Sequence, residues 1–533
     1  MSESNIPIPD GSYLSKRGYV IRKDSISDKE LKFLKTTLVA RPLQDDKYTF
    51  FNKQDNSFPI YIETKNKIYI PKMFGINRYG FPERLMPNYT GIMWDKEIKF
   101  TGNLYPIQQQ AVSKLVNELK NGKTGGILAL ATGLGKSISA LNILSQIRGK
   151  TLVVVNKIPL MKQWESEIKN FLPDAEIGFI QGQKNVSVDN KDIIIAMLQS
   201  LARIDYPDSL FETINTVIID EIHNLSSRVF SQVLSKLSCQ YTIGLSATPK
   251  RSDGCEYVFK HHIGDIVYES LVTRSGLNPI IRTIKIDSDE YKEISTINQI
   301  TGQNQIQFTS MISELITMEK RNKLIIELIK HLAINGNRRL LILSDRRDHL
   351  KMLKTQLDND LEITFTYGLF LGQMKYQELE RSKSSQVILA TFSAFGEGVS
   401  EKDLDTLILI TPKKFIGHLK NSIKNESGRL EQIVGRIFRK EHVEKNPLIV
   451  DLQDNFSVYK TQNAGRNVFY KQHFKNAVFE NHNINLDNYD LDKISVDCIE
   501  KRSKRLVKKQ DSKDDENTKE MSENLKKFCI IED

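Results

Sequence analysis

The sequence predicts an α/β protein with two tandem parallel-sheet units, a small α+β module ahead of them and a charged tail behind. Three observations carry this. First, short β-branched apolar runs alternate with helical segments: GGILAL, TLVVVN, KDIIIAM, TVIID and YTIGLSA, then RLLILSD, EITFTYG, QVILATF, TLILITP and PLIVDLQD. Nearly continuous apolar strands separated by helices are the mark of parallel sheets covered on both faces. Second, 533 residues are too many for one core. Third, the last segment, with KRSKRLVKK followed by QDSKDDENTKE, has little apolar surface to bury.

The elements follow in order. Residues 1–100 form the accessory module. SISDKELKFLK opens on an N-cap serine and has helical spacing, and Ile60, Ile62, Ile68 and Ile70 alternate around a polar turn as in a hairpin. Residues 101–280 are the first α/β unit and 281–475 the second, whose RNKLIIELIKHLAI is an amphipathic helix. Residues 476–533 are an extension, basic and then mixed in charge, expected to be disordered from about residue 500.

The formal charge of +10 favours an acidic partner, nucleic acid above all. Cys239, Cys255, Cys498 and Cys529 are widely spaced and form no C-x-x-C pair, so neither a zinc site nor a disulfide framework is indicated. No apolar run approaches the ~20 residues of a membrane span, and MSESNIPIPDGS lacks a signal-peptide core. A soluble intracellular protein without membrane association is expected.

Four segments carry chemistry. LALATGLGKSISAL follows a strand and opens a helix, the setting of a phosphate-binding loop, although the strict pattern asks for glycine where Leu130 stands. The loop backbone at Thr132, Gly133, Leu134 and Gly135 can turn N–H groups toward phosphate oxygens. Lys136 would neutralise the β- and γ-phosphates, and the Ser137 hydroxyl would ligate Mg2+ at the positive end of the helix. TVIIDEIHNL ends a strand with two acids: Asp220 would hold Mg2+ and Glu221 would activate water, with His223 placed to couple to a neighbouring element. In IGLSATPKRSDG, Ser246 and Thr248 can bridge the acids to the second unit. In QIVGRIFRK, Gln432, Arg436 and Arg439 share a face if the segment is an α-helix, and such arginines can reach a γ-phosphate from across a cleft.

These segments, in this order over about residues 101–460, resemble the superfamily 2 helicases and translocases, whose fold is a pair of RecA-like domains. LYPIQQQAV is similar to the family's upstream segment, implying that Gln108 reads the adenine edge. VVVNKIPLMKQW and MLQSLAR resemble strand-contacting segments, and LILSDRRDHL and ATFSAFGEGVS resemble motifs IV and V. The nucleic-acid candidates so implied are Lys157, Gln199, Arg203, Ser344, Arg346 and Thr391. GLSATPKRSDG, DEIH and GRIFRK look closest to the XPB and UvsW-like branch, in particular to the poxvirus-type transcript-release helicases of large DNA viruses. Departures are Asn156-Lys157, Ser400 and an insertion at residues 413–428.

The resemblance implies ATP and Mg2+ as cofactors and nucleic acid as partner, with DNA favoured and RNA open. It implies unwinding or translocation from 3′ to 5′, in viral transcription or genome maintenance. RNA polymerase or transcription factors would be partners, and the host cytoplasm, viral factory or virion the location. An RNA helicase, or an ATP-switched component of a transcription assembly that does not unwind, are the alternatives.

Overall fold

The structure, a computed structural model, describes residues 6–42, 56–131, 133–183, 185–222, 228–247, 254–270, 278–297, 302, 304–395, 403–413, 430, 433–438, 445–474 and 476–488.

The N-terminal module is built on strands β1 (Tyr13–Ser15), β2 (Gly18–Arg22), β3 (Ile62–Glu63), β4 (Lys67–Ile70) and β5 (Arg84–Leu85), in the order β3-β4-β2-β1-β5. The expected hairpin is β3 and β4, paired antiparallel. The expected helix is α1 (Asp28–Thr37), where the Ser27 side chain accepts from the Glu30 N–H. A second helix, α2 (Lys72–Tyr79), carries the module onto the first α/β unit. There the buried Lys72 ammonium donates to the Thr124 and Cys239 carbonyls and to Thr242 Oγ1, at 2.9–3.1 Å. Burial lowers its pKa to about 8. The module's core also takes in Cys255 and Val258 of the first unit. The module expected as a separate piece thus shares its interior with its neighbour.

The first unit contains α3 (Pro106–Lys120), β6 (Gly125–Leu130), α4 (Lys136–Ile147), β7 (Thr151–Val155), α5 (Ile158–Phe171), β8 (Ile177–Gln181), β9 (Asn185–Ser187), β10 (Ile193–Met197), α6 (Leu198–Arg203), β11 (Thr216–Asp220), β12 (Tyr241–Ser246), α7 (Glu256–Ile263) and β13 (Ile266–Ser270). Its sheet runs β9-β8-β10-β7-β11-β12-β6-β13 and is parallel except for β9. Every residue of β6, β7 and β10 is buried. This is why those runs contain no alternating polar position: helices cover both faces.

The second unit contains β14 (Ile280–Asp287), α8 (Glu319–Lys330), β15 (Leu340–Ser344), α9 (Arg347–Asp358), β16 (Tyr367–Phe370), β17 (Val387–Thr391), β18 (Thr406–Leu409), β19 (Leu448–Asp454), α10 (Ser457–His473) and β20 (Val478–Asn485). All neighbours in its order β16-β17-β15-β18-β19-β14-β20 are parallel. Two details differ from expectation. The strand read in EITFTYG begins later, pairing from Tyr367 opposite Val387. And β20, beyond residue 475, pairs with β14 along its whole length, so the sheet extends past the expected edge of the unit. Two fully buried ion pairs brace β19: Arg321 with Asp454 and Arg466 with Asp451, both at 2.8 Å.

Candidate nucleotide site and strand-contacting segments

Sheet register brings the loop and the acids to one edge. Asp220 ends β11 level with Leu245 of β12, and Leu245 is level with Leu128 of β6. The loop after Leu130 and the acidic pair therefore emerge together at the carboxyl ends of the strands, where open α/β sheets hold ligands. Ser246, fully buried, lies on β12 between them.

The loop bends through left-handed glycines, Gly133 at φ +83° and Gly135 at φ +72°, and the second caps α4. A side chain at Gly135 would lie 2.2 Å from Gln108 Nε2. Lys136 starts α4, and its ammonium lies 3.7 Å from Glu221 Oε1. Ser137 follows, 8% exposed. Thr132 lies outside the described residues.

Asp220 is held from two sides. Its Oδ1 accepts from the Glu221 N–H and its Oδ2 from the Trp164 indole N–H, both at 3.0 Å. Burial, then the neighbouring Glu221 carboxylate, raise its pKa to about 6, while Lys136 acts in the opposite direction. Glu221 has φ +52°, a conformation costly for a residue with a Cβ and concentrated at functional sites. Two adjacent carboxylates facing one ammonium suit a divalent cation. Among the described residues no three His, Cys, Asp or Glu side chains cluster to cage a metal. The arrangement fits Mg2+, which keeps water and takes phosphate oxygens beside one or two protein oxygens; Asp220 and the Ser137 hydroxyl are oxygen donors of that kind.

Gln108 is held at both ends of its side chain. Its Oε1 accepts from the Tyr105 N–H and its Nε2 donates to the Leu134 carbonyl, both at 2.9 Å, and the side chain is 2% exposed. One hydrogen bond at each end of the amide ties α3 to the phosphate loop, a link the sequence did not announce.

The strand-contacting candidates divide. In the first unit, Lys157 caps α5, Gln199 donates to the Asn156 carbonyl at 2.7 Å, and Arg203 is exposed at the end of α6. These three lie along the outlets of β7 and β10. In the second unit the hydroxyls face inward. Ser344 Oγ is fully buried, 3.1 Å from His349 Nδ1, and accepts from the Arg346 N–H. Thr391, 4% exposed, accepts from the Ala394 N–H. The Arg346 guanidinium donates to the Thr309 carbonyl. Ser344 and Thr391 are thus turn-forming groups, not surface contacts, because each closes the chain exit after its strand.

Arg436 is 3% exposed, with its guanidinium 5.2 Å from the Phe395 ring centre. Residues 433–434 are α-helical and residues 435–438 tighten into a 3-10 helix. Gln432 and Arg439 lie outside the described residues, as do His223, Thr248, Glu397, Gly398, Ser400, all of the insertion except Lys413, and the tail from residue 489.

Sequence reading missed Trp164. Its only signal was its place on the apolar face of α5 with Leu160, Met161 and Ile168, a pattern that announces burial and not a partner.

A glycine loop, a lysine and an acidic pair at the carboxyl edge of the first of two RecA-like sheets define a phosphate-loop ATPase. The Type III restriction enzyme, res subunit family matches residues 101–251. A protein of Acanthamoeba polyphaga mimivirus, provisionally named an ATP-dependent RNA helicase, is 32% identical over 462 residues, 86% of this chain and 85% of that protein. An African swine fever virus protein with the same provisional description is 25% identical over 391 residues, 69% of this chain and 73% of that one. A Saccharomyces cerevisiae Dbp5 variant bound to RNA and ADP BeF3 superposes with a TM-score of 0.51 at 13% identity, covering 76% of this chain and 94% of that one, which shows the shared fold. The chain belongs to the superfamily 2 helicases, in the group found in large DNA viruses, and is an ATP-hydrolysing enzyme. Among the described residues no helix is long and apolar enough to cross a membrane.

Proposed function

We propose that the chain is a nucleic-acid motor that hydrolyses ATP at the edge of the first sheet and moves 3′ to 5′ on DNA during viral transcription. The observation that carries this is the meeting of Lys136, Asp220 and Glu221 at one strand edge, with the ammonium 3.7 Å from the Glu221 carboxylate. In this reading Lys136 leaves Glu221 for the β- and γ-phosphates, Ser137 and Asp220 would hold Mg2+, and Glu221 takes the proton of the attacking water. Mg2+, when bound, neutralises charge developing on the phosphates. The loop N–H groups at Gly133 and Gly135 and the amino end of α4 cradle the anion. Arg436 completes the site from the second unit by swinging off Phe395, together with Gln432 and Arg439, while Ser246, Thr248 and His223 link the acids to that unit. ATP touching both units only when they are closed would make closure and opening follow the hydrolysis cycle. Lys157, Gln199 and Arg203 would grip the backbone, and RNA polymerase or transcription factors would be the protein partners.

RNA as the track is the second reading, favoured by the names of the mimivirus and African swine fever virus relatives. Lys136→Ala should reduce nucleic-acid-stimulated ATPase at least a hundredfold while nucleic-acid binding persists. Retained stimulated hydrolysis would sink the site assignment. Parallel ATPase titrations with single- and double-stranded DNA and RNA decide the track: stimulation by RNA alone overturns the DNA reading.

A further inference from the structure

We infer that Trp164 is a positioning residue for the hydrolytic site: its indole N–H fixes the Asp220 carboxylate and ties the helix behind the strand-contacting segment to the metal-holding acid. This rests on the reading of Asp220 and Lys136 given above.

The geometry is specific. Trp164 sits in the middle of α5, whose first turn follows Lys157, a residue proposed to meet the nucleic-acid backbone. Its ring is wholly buried in the core of the first unit, packed among residues of α4, α5 and the central strands. Its single polar atom does not end in that core but reaches Asp220 Oδ2 at 3.0 Å. An indole has one donor and no acceptor, so its orientation is determined by that contact. Packing uses only the apolar faces of the ring, so it gives no reason for the N–H to meet a carboxylate.

The contact has two consequences for Asp220. The carboxylate cannot rotate freely, because Oδ1 is held by the Glu221 N–H and Oδ2 by Trp164. A ligand set in one orientation lacks the reorganisation that would otherwise oppose each binding event. The second consequence is coupling. Lys157 caps α5, and the Asn156 carbonyl is held by Gln199 of the neighbouring contact segment. A shift of α5 when these residues grip a strand moves the indole, and the indole carries Asp220 with it. This gives nucleic acid a short mechanical route, one helix and one hydrogen bond, to the hydrolytic site.

The test is Trp164→Phe in the full-length chain. The donor is removed and an aromatic ring is kept, smaller than the indole by three heavy atoms; the emission readout below, which keeps Trp164, separates the lost donor from the lost volume. We expect the Mg2+ concentration for half-maximal ATPase to rise about tenfold and the nucleic-acid-stimulated kcat to fall about tenfold, the scale of one hydrogen bond to a charged group. The ATP KM and nucleotide-free strand binding should change less than twofold. Unchanged Mg2+ dependence and stimulation would overturn the role.

A second readout does not need this variant to fold or turn over. The chain has two tryptophans, Trp94 and Trp164. In Trp94→Phe the emission reports Trp164 alone, and saturating Mg2+ with ADP should shift it, with the shift lost in Trp94→Phe/Asp220→Asn. Emission blind to the Mg2+–nucleotide overturns the proposal. Lys136→Ala and Asp220→Asn serve as controls: if either keeps stimulated ATPase, the site assignment itself is wrong; if both lose it while Trp164→Phe behaves as wild type, only the role of Trp164 fails.

Discussion

Leu130 is the last residue of β6, wholly out of solvent and paired with Ser270 of β13. That burial decides what the position is for. The left-handed turns of the loop fall at Gly133 and Gly135, three and five residues on, so a glycine at 130 would give the backbone nothing it uses. Leu130→Gly removes a packed side chain from the core of the first unit. It should cost about 3 to 5 kcal/mol, a cavity penalty plus the entropy of glycine in a strand. Denaturant melts and ATP titration check this; tighter nucleotide binding would refute it. Buried histidines set a second limit at this scale. Burial above all lowers His262 and His349 to about 3, helped by charges at His261 and Lys72 for the first and Arg321 for the second. Burial likewise lowers His261 to about 4. Their folded pKa values lie below the unfolded 6.5, so the neutral forms favour the native state above that pH. Below it the unfolded chain takes up protons that the folded chain refuses. Stability should therefore fall steadily from about pH 6.5 toward 4, and a melting midpoint that is flat between pH 7 and 5 would count against these environments.

At the scale of elements, legibility follows where each strand finds its partners. β6, β7, β10, β11 and β12 were visible because helices on both faces demand unbroken apolar runs. β14 and β20 were not. β20 alternates between half-buried and exposed residues, as VFENHNIN must on an edge. β14 carries Arg282, which reads as a surface residue yet is 7% exposed, because Glu480 pairs with it at 2.7 Å. That partner is nearly two hundred residues away, beyond any local pattern. The same holds at the site. The loop and the acids are local motifs and could be read directly; the Trp164–Asp220 contact depends on where α5 crosses the sheet. The pairing of β20 has a consequence for truncation. A chain ending at residue 475 loses the strand along β14, with its ladder hydrogen bonds and the carboxylate that pairs with Arg282. A chain ending at 488 keeps both. The shorter form should melt well below the longer one, and coincident melts would show that β20 adds nothing to the fold.

At the scale of the whole molecule, the N-terminal module and the first unit share an interior through Lys72 and the core around Cys255 and Val258. The motor's first half is therefore stiffened from the end of the sheet opposite its nucleotide edge, since Lys72 bonds at Thr124 and Thr242, before β6 and near the start of β12. The chain as a whole carries a formal charge of +10. A motor that tracks a backbone must release the counterions of the phosphates it covers, so log K should fall linearly with log salt, by about 0.9 per phosphate on duplex DNA and about 0.7 on single strands. Arg203 is exposed at the end of α6. Arg203→Gln should lower that slope by about one phosphate's worth while leaving the ATP affinity unchanged, as binding titrations from about 50 to 300 mM salt would measure. A shallower slope with unchanged ATP binding would place Arg203 on the track. A slope unchanged by the substitution would remove it from the track, and a binding constant indifferent to salt would exclude backbone tracking altogether, because a track read through phosphates cannot ignore the ions it displaces.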